Sequence, residues 1–271
     1  MIQRTFTYNY HKKHIDYSVW FTSDVKELDT VVFLGTVQID KIPKWVAEAC
    51  PPRTAIVQGA PHWHAKDDGS DTNEYMLGYS KSAMQTLATQ YVFESLNIIA
   101  ESQTVPGSIQ LFLTDTYRTR LNRAVFLQPL GFNVATFAGT DEERLSVFKN
   151  RIIKNAYYQL TSLLLDGRLR YNHRLLGKTV SFRDPKAKAQ YSSGLTYNAL
   201  PELKQILLQG TEVTIICGEK DKLFPAEEIR KSLKDTDISL SVLEIKDVPH
   251  SPLATNHGMK LLRSALAILK S

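Results

Sequence analysis

The chain has 271 residues, 43% of them hydrophobic and 23% charged. These proportions suit one large domain, or one domain with a substantial insertion, and exclude overall disorder. Thirty-three Lys and Arg against 28 Asp and Glu give a net charge of +5, with no dense basic stripe or tail, so nucleic acid is not an expected partner.

Cys50 and Cys217 each sit among apolar residues and read as buried thiols, not as a disulfide framework or a zinc cluster. The opening MIQRTFTYNYHKKH has no long apolar core, and no apolar run further on approaches a transmembrane length. A cytoplasmic protein without a transmembrane segment is the expectation.

Residues 3–9 (QRTFTYN) and 15–21 (IDYSVWF) alternate between polar and apolar, and the polar HKKH lies between them. They read as a strand pair joined by a turn. Val31, Val32, Phe33 and Leu34 form a continuous apolar run that stops at Gly35, the pattern of a strand buried on both faces. KWVAEAC is a short helix stopped by Pro51 and Pro52, and RTAIVQG is a further buried strand. Residues 67–73 are a polar loop. Ala83, Met84, Leu87, Ala88 and Tyr91 then recur at helical spacing within 79–96. A short strand ending in IIA, a helix over PGSIQLFL and a strand over 124–128 complete this half. Strands alternating with helices predict a mostly parallel sheet with right-handed crossovers.

From about Thr140 to Pro201 the rhythm breaks. The stretch is helical in places and rich in Arg and Lys, including Arg144, Arg151, Lys154, Arg168, Arg170 and Arg174. It reads as an insertion over one end of the sheet, with arginines such as Arg168 and Arg170 mainly on a solvated face. The LLL of LTSLLLDG offers an apolar wall for a substrate with an acyl or other hydrophobic part. Alternation resumes with the strand EVTIICG, the helix AEEIRKSLKD, the strand ISLSVLEIKD and a closing helix from about Gly258 to Leu269.

Three residues that could do chemistry each follow a different predicted strand. Ser102 comes directly after a short buried strand and before a helix, a place for an exposed nucleophile or for a helix N-cap. Asp221 follows VTIICG, where open α/β sheets place their sites; Glu219 competes with it, and a solvated loop acid is the bland reading. His250 follows the last strand in VPHSPL, and His257 is the alternative base.

The order Ser, Asp, His across nearly the whole chain resembles the α/β-hydrolase superfamily. Ala100-Glu101-Ser102-Gln103-Thr104 stands where that family has its G-x-S-x-G elbow. Gly218-Glu219-Lys220-Asp221-Lys222-Leu223-Phe224-Pro225 is similar to the family's acid loop, and Pro249-His250-Ser251 to its histidine loop. The resemblance implies a mostly parallel, eight-stranded sheet with helices on both faces. It implies a core of residues 1–139 and 202–271 with a helical cap over 140–201. It also implies a catalytic set of Ser102, Asp221 and His250, and an oxyanion hole formed by the amides of Gln103 and Thr36. Both elbow glycines are replaced, and the β-branched Thr104 is expected to crowd the turn and disturb the aim of the Gln103 amide. Leu34 stands where the family has a histidine before its oxyanion loop.

The implied activity is that of a serine hydrolase cleaving an ester or related acyl bond in a small molecule with an apolar part, without a cofactor; self-association into a homo-oligomer stays open. Two other readings remain at this point: a catalytically inactive binding protein on the same fold, and a protein that uses the basic insertion against an acidic partner. Gly177-Lys178-Thr179 lacks the earlier glycine of a phosphate loop, and His62-Trp63-His64 supplies only two metal ligands. Neither is taken as a site.

Overall fold

A computed structural model describes residues 1–10, 13–24, 26–35, 42, 44–59, 72–114, 117, 120–166, 192, 194–251, 253 and 255–271. Eight strands form one sheet: β1 (Ile2–Tyr10), β2 (Lys13–Phe21), β3 (Thr30–Phe33), β4 (Thr54–Val57), β5 (Leu96–Glu101), β6 (Leu121–Leu127), β7 (Glu212–Gly218) and β8 (Val242–Ile245). Their order is β1-β2-β4-β3-β5-β6-β7-β8. β1 pairs antiparallel with β2, and β2 with β4; every later pairing is parallel. The mostly parallel α/β sheet expected from the sequence is therefore present.

Burial on both faces explains why the central strands are unbroken apolar runs. Val31, Phe33, Ala55, Val57, Ile98, Ala100 and Phe126 enter one core. Their neighbours Val32, Ile56, Ile99, Val125 and Leu127 enter the other. This is the period of two expected of a pleated strand with helices above and below. The first core is closed by α2 (Thr72–Gln90), α3 (Thr104–Phe112), α5 (Leu200–Leu208) and α6 (Ala226–Asp235). The second is closed by α1 (Lys44–Ala49) and α7 (Asn256–Lys270).

Between β6 and β7 the chain leaves the alternating pattern for α4 (Asp141–Asp166), a helical insertion. Its start carries a capping box: the Thr140 backbone N–H donates to Glu143 Oε2 at 2.7 Å, and the Glu143 N–H donates to Thr140 Oγ1 at 3.3 Å. Helix α7 is capped by Thr255, whose side chain accepts from the Gly258 N–H. Helix α6 follows Pro225 and places Glu227 and Glu228 in its first turn and Lys234 in its last, in line with the helix dipole.

Some elements differ from expectation. Helix α2 begins at Thr72, inside the stretch read as polar loop, because Tyr75 and Tyr79 are fully buried against Tyr8 and extend the apolar face towards the N-terminus. Helix α5 was not foreseen; its Leu203 and Ile206 are fully buried beside α3. Strand β8 is confined to Val242–Ile245. Arg168, Arg170, Arg174, the Gly177–Thr179 triplet and His62, Trp63 and His64 lie outside the described residues. So do the side chains of Leu163, Leu164 and Leu165.

Parallel pairing brings the carboxyl ends of β3, β5, β7 and β8 to one edge. Gly218, at the end of β7, makes a close backbone approach there. A Cβ on it would lie 2.1 Å from the Val248 carbonyl oxygen. That oxygen already accepts from the Lys220 N–H at 2.9 Å, so it has little freedom to retreat. Gly218→Ala is expected to cost about 2 kcal/mol or more by overpacking, read as a lower urea midpoint with an unchanged slope. An unshifted midpoint would show that the two segments are not in this contact.

Candidate active site

The site begins with the turn at the end of β5. Ser102 has φ +51°, in the left-handed region that non-glycine residues rarely occupy. Holding it there costs roughly 1–2 kcal/mol, and the surroundings supply fixed partners. The Ser102 N–H donates to Leu127 O at 2.9 Å, and its carbonyl accepts from the Val105 and Leu130 N–H groups at 3.2 Å each. Helix α3 has no side-chain cap. The Ser102 hydroxyl is instead 3.5 Å from His250 Nε2. The serine therefore faces the imidazole and does not serve as an N-cap.

The remaining contacts run in series. His250 Nδ1 is 2.8 Å from Asp221 Oδ2. Asp221 is 1% exposed, and its other oxygen accepts from the Leu223 and Phe224 N–H groups at 2.8 and 2.9 Å. A carboxylate only accepts, so Nδ1 carries the proton and Nε2 offers its lone pair to Ser102. The Phe224 ring meets the imidazole edge-on, with centroids 5.3 Å apart. Burial lowers the His250 pKa, but the charge and hydrogen bond of Asp221, together with the charge of Glu101, outweigh it and leave the group raised.

The competing residues lie elsewhere. Glu219 accepts from the exposed Asp247 N–H, and His257 belongs to the first turn of α7. Of the two expected oxyanion donors, Gln103 has an N–H with no acceptor among the described residues. Thr36 lies outside them, although Gly35 before it is placed.

The elbow substitutions have a structural account. Ala100 is fully buried within β5. Thr104 is 1% exposed, and its hydroxyl donates to Glu101 O at 2.8 Å while accepting from the Glu101 N–H at 3.1 Å. The side chain expected to crowd the turn instead satisfies backbone groups at the strand end.

Sequence reasoning missed three residues. Gln128 donates through Nε2 to Pro249 O at 2.9 Å and accepts at Oε1 from the Ser251 N–H at 3.1 Å. Asn155 on α4 contacts the backbone of His250 itself. Glu101 sits beside Ser102 with 3% exposure. Its Oε2 accepts from the Gly35 N–H at 2.7 Å and its Oε1 from the Leu253 N–H at 2.9 Å. Burial pushes the Glu101 carboxyl up to about 7, against the pull of both N–H groups and of His250. Gly35 follows β3 and Leu253 follows the base loop, so one carboxylate ties both to the elbow.

Among the described residues no cluster of His, Cys, Asp or Glu could hold a metal ion, and no helix is long and apolar enough to cross a membrane.

No family model matches the chain, and a comparison with curated proteins finds no match. Many solved structures share its fold. An α/β-hydrolase enzyme (MGS-M2) from a Medee basin deep-sea metagenome library is 17% identical with a TM-score of 0.61, over 98% of each chain. A bromoperoxidase from Bacillus anthracis is 15% identical with a TM-score of 0.59, over 99% of this chain and 100% of that one. The α/β-hydrolase GrgF from Penicillium sp. sh18 is 13% identical with a TM-score of 0.61, over 100% of this chain and 98% of that one. At these identities the likeness establishes the α/β-hydrolase fold and no substrate.

Glu101 sets a sign for stability against pH. Its folded pKa lies above the ordinary value of 4.5, so the unfolded chain loses this proton first. Its contribution to stability falls as pH rises from 4.5 to about 7 and is fully unfavourable above that. In Glu101→Gln this slope disappears. The stability of the variant relative to wild type is expected to rise between about pH 5 and pH 7.5, measured by urea unfolding at both. A difference that does not change with pH would show that Glu101 does not titrate in this window.

Proposed function

We propose that this α/β-hydrolase-fold protein is a serine hydrolase that cleaves an ester or related acyl bond, with Ser102 as nucleophile, His250 as base and Asp221 as its orienting acid. The observation that carries the reading is the continuous series from the Ser102 hydroxyl through both imidazole nitrogens to a buried, doubly hydrogen-bonded carboxylate.

Ser102 Oγ attacks the acyl carbon as its proton passes to His250 Nε2. Asp221 keeps Nδ1 protonated beforehand and stabilises the imidazolium afterwards. The negative oxygen of the tetrahedral intermediate takes the unclaimed Gln103 N–H and, in this proposal, the N–H of Thr36. Collapse expels the alcohol, protonated by His250. Water activated by the same imidazole then releases the acid and restores Ser102. The 3.5 Å separation between Ser102 and His250 is the loose spacing expected of a resting triad, which tightens as substrate binds.

Residues 140–201 are proposed as the cap, and a small substrate with an apolar or acyl part as its occupant. Helix α4, which lies within that range and reaches the base loop through Asn155, supports the boundary. Two of the fold neighbours are described as α/β-hydrolases, which supports the class of reaction and leaves the substrate open. A cytoplasmic location is proposed because Cys50 and Cys217 are buried free thiols, the ordinary state in a reducing compartment.

A series of p-nitrophenyl acyl esters tests the reaction. Wild type is expected to turn over at least one of them, and Ser102→Ala to lower kcat/KM by about a thousandfold or more. Asp221→Asn is expected to lower kcat by a similar order, because the imidazole then loses its preferred tautomer. Turnover that survives Ser102→Ala within tenfold would remove Ser102 as nucleophile.

A further inference from the structure

Helix α4 sends two polar side chains, one turn apart, to two different loops at the carboxyl edge of the sheet. Arg151 donates through Nη1 to Leu223 O at 3.1 Å, in the loop that holds Asp221. Its guanidinium also pairs with Glu228 at 2.6 Å, and Glu228 further accepts from Asn133 at 3.2 Å and Thr136 at 2.8 Å. Four residues later, Asn155 is 4% exposed and spends its amide on one residue. Its Nδ2 donates to His250 O, and its Oδ1 accepts from the His250 N–H, each at 2.9 Å.

Only one orientation of that amide is chemically consistent. Turned over, it would set donor against donor at His250 N and acceptor against acceptor at His250 O. The pair of bonds acts like one rung of a sheet supplied by a side chain. It fixes the peptide groups on both sides of the His250 Cα, and so the direction in which the Cβ leaves the backbone. Asp221 and Phe224 then set the rotation of the ring. The Ser102–His250 gap of 3.5 Å leaves little tolerance for a further displacement of the imidazole. Misplacing a reacting group by about 1 Å can cost on the order of a hundredfold.

We propose that Asn155 is a positioning residue for His250, so that the inserted helix α4 is a working part of the proton-transfer machinery. The inference rests on the serine-hydrolase reading above and deepens it. Arg151 anchors the same helix to the acid loop, so one element holds both the backbone of His250 and the loop of its Asp221 partner. Asn155 itself bonds only to the His250 backbone among the described contacts, so its loss acts on turnover more than on substrate affinity.

The experiment compares wild type with Asn155→Ala and the isosteric Asn155→Asp, on whichever p-nitrophenyl ester wild type turns over. In Asn155→Ala kcat is expected to fall by about ten- to a hundredfold while KM stays within about twofold. Asn155→Asp keeps the acceptor for the His250 N–H but sets a carboxylate oxygen against His250 O, so its kcat should fall at least as far. A second measurement needs no turnover. By proton–nitrogen NMR of the resting protein, the Nδ1 proton of His250, held downfield by Asp221, should move upfield or broaden in both variants. Melting curves establish that each variant is folded. A folded variant with kcat within twofold of wild type, or a loss carried by KM, overturns the positioning role. So does an unmoved Nδ1 proton. Wild-type turnover that does not depend on Ser102 overturns the hydrolase reading instead, and the two failures are told apart by the Ser102→Ala control.

Discussion

The segment 249–251, with Leu253 just beyond it, has to be held in place although it belongs to no strand or helix. Buried backbone N–H and C=O groups need partners, and here side chains provide them. Gln128 takes Pro249 O and the Ser251 N–H, Asn155 takes both polar groups of His250, and Glu101 takes the Leu253 N–H. Each of the three comes from a different place: the end of β6, the inserted helix and the residue before Ser102. These bonds hold the backbone from which the imidazole projects. The close approach of Gly218 to Val248 O fixes the same loop from the side of the acid.

This arrangement is costly to stability. Ser102 and Gln128 both sit at positive φ, at +51° and +48°. Two titratable side chains, Glu101 and His250, are withdrawn from water beside one another, and burial alone would push each towards its neutral form. Hydrogen bonds and neighbouring charges act against that burial. Asp221 receives two backbone N–H groups and the imidazole Nδ1–H. Glu101 receives two N–H groups and, among the described residues, no cation in direct contact, and burial pushes it up to about 7. Strain and buried charge gathered at one edge of an otherwise ordinary two-core sheet are the marks of a site held for chemistry.

The fold was legible because both-face burial writes itself into local sequence. Val31 to Leu34 and the run before Gly218 are apolar without interruption, and Ser102 and Asp221 each follow such a strand, whereas His250 follows β8, whose Leu243 and Glu244 are exposed. Reading residues at strand ends was enough to bring the three together. Thr104 shows the limit of reading a motif by size alone. As a β-branched replacement for glycine it promised crowding, whereas its hydroxyl closes the hydrogen bonds of Glu101. Glu101, Gln128 and Asn155 had no local signal. Their partners lie 152, 123 and 95 residues away, and a buried Gln or Asn on a strand end or helix looks in sequence like any solvated one. Helix α2 was placed too late for a related reason, since Tyr75 and Tyr79 find their apolar contacts across the sheet on β1.

In the proposed mechanism the polar frame makes the Ser102 hydroxyl nucleophilic by holding His250 against it. The most direct test is intact-mass analysis after treatment with fluorophosphonates of different size, followed by peptide mapping, with wild type, Ser102→Ala and His250→Ala side by side. The account expects a single adduct on Ser102 in wild type, none in Ser102→Ala, and strongly slowed labelling in His250→Ala. Folded wild-type protein that no fluorophosphonate labels, or an adduct on any residue other than Ser102, would contradict it.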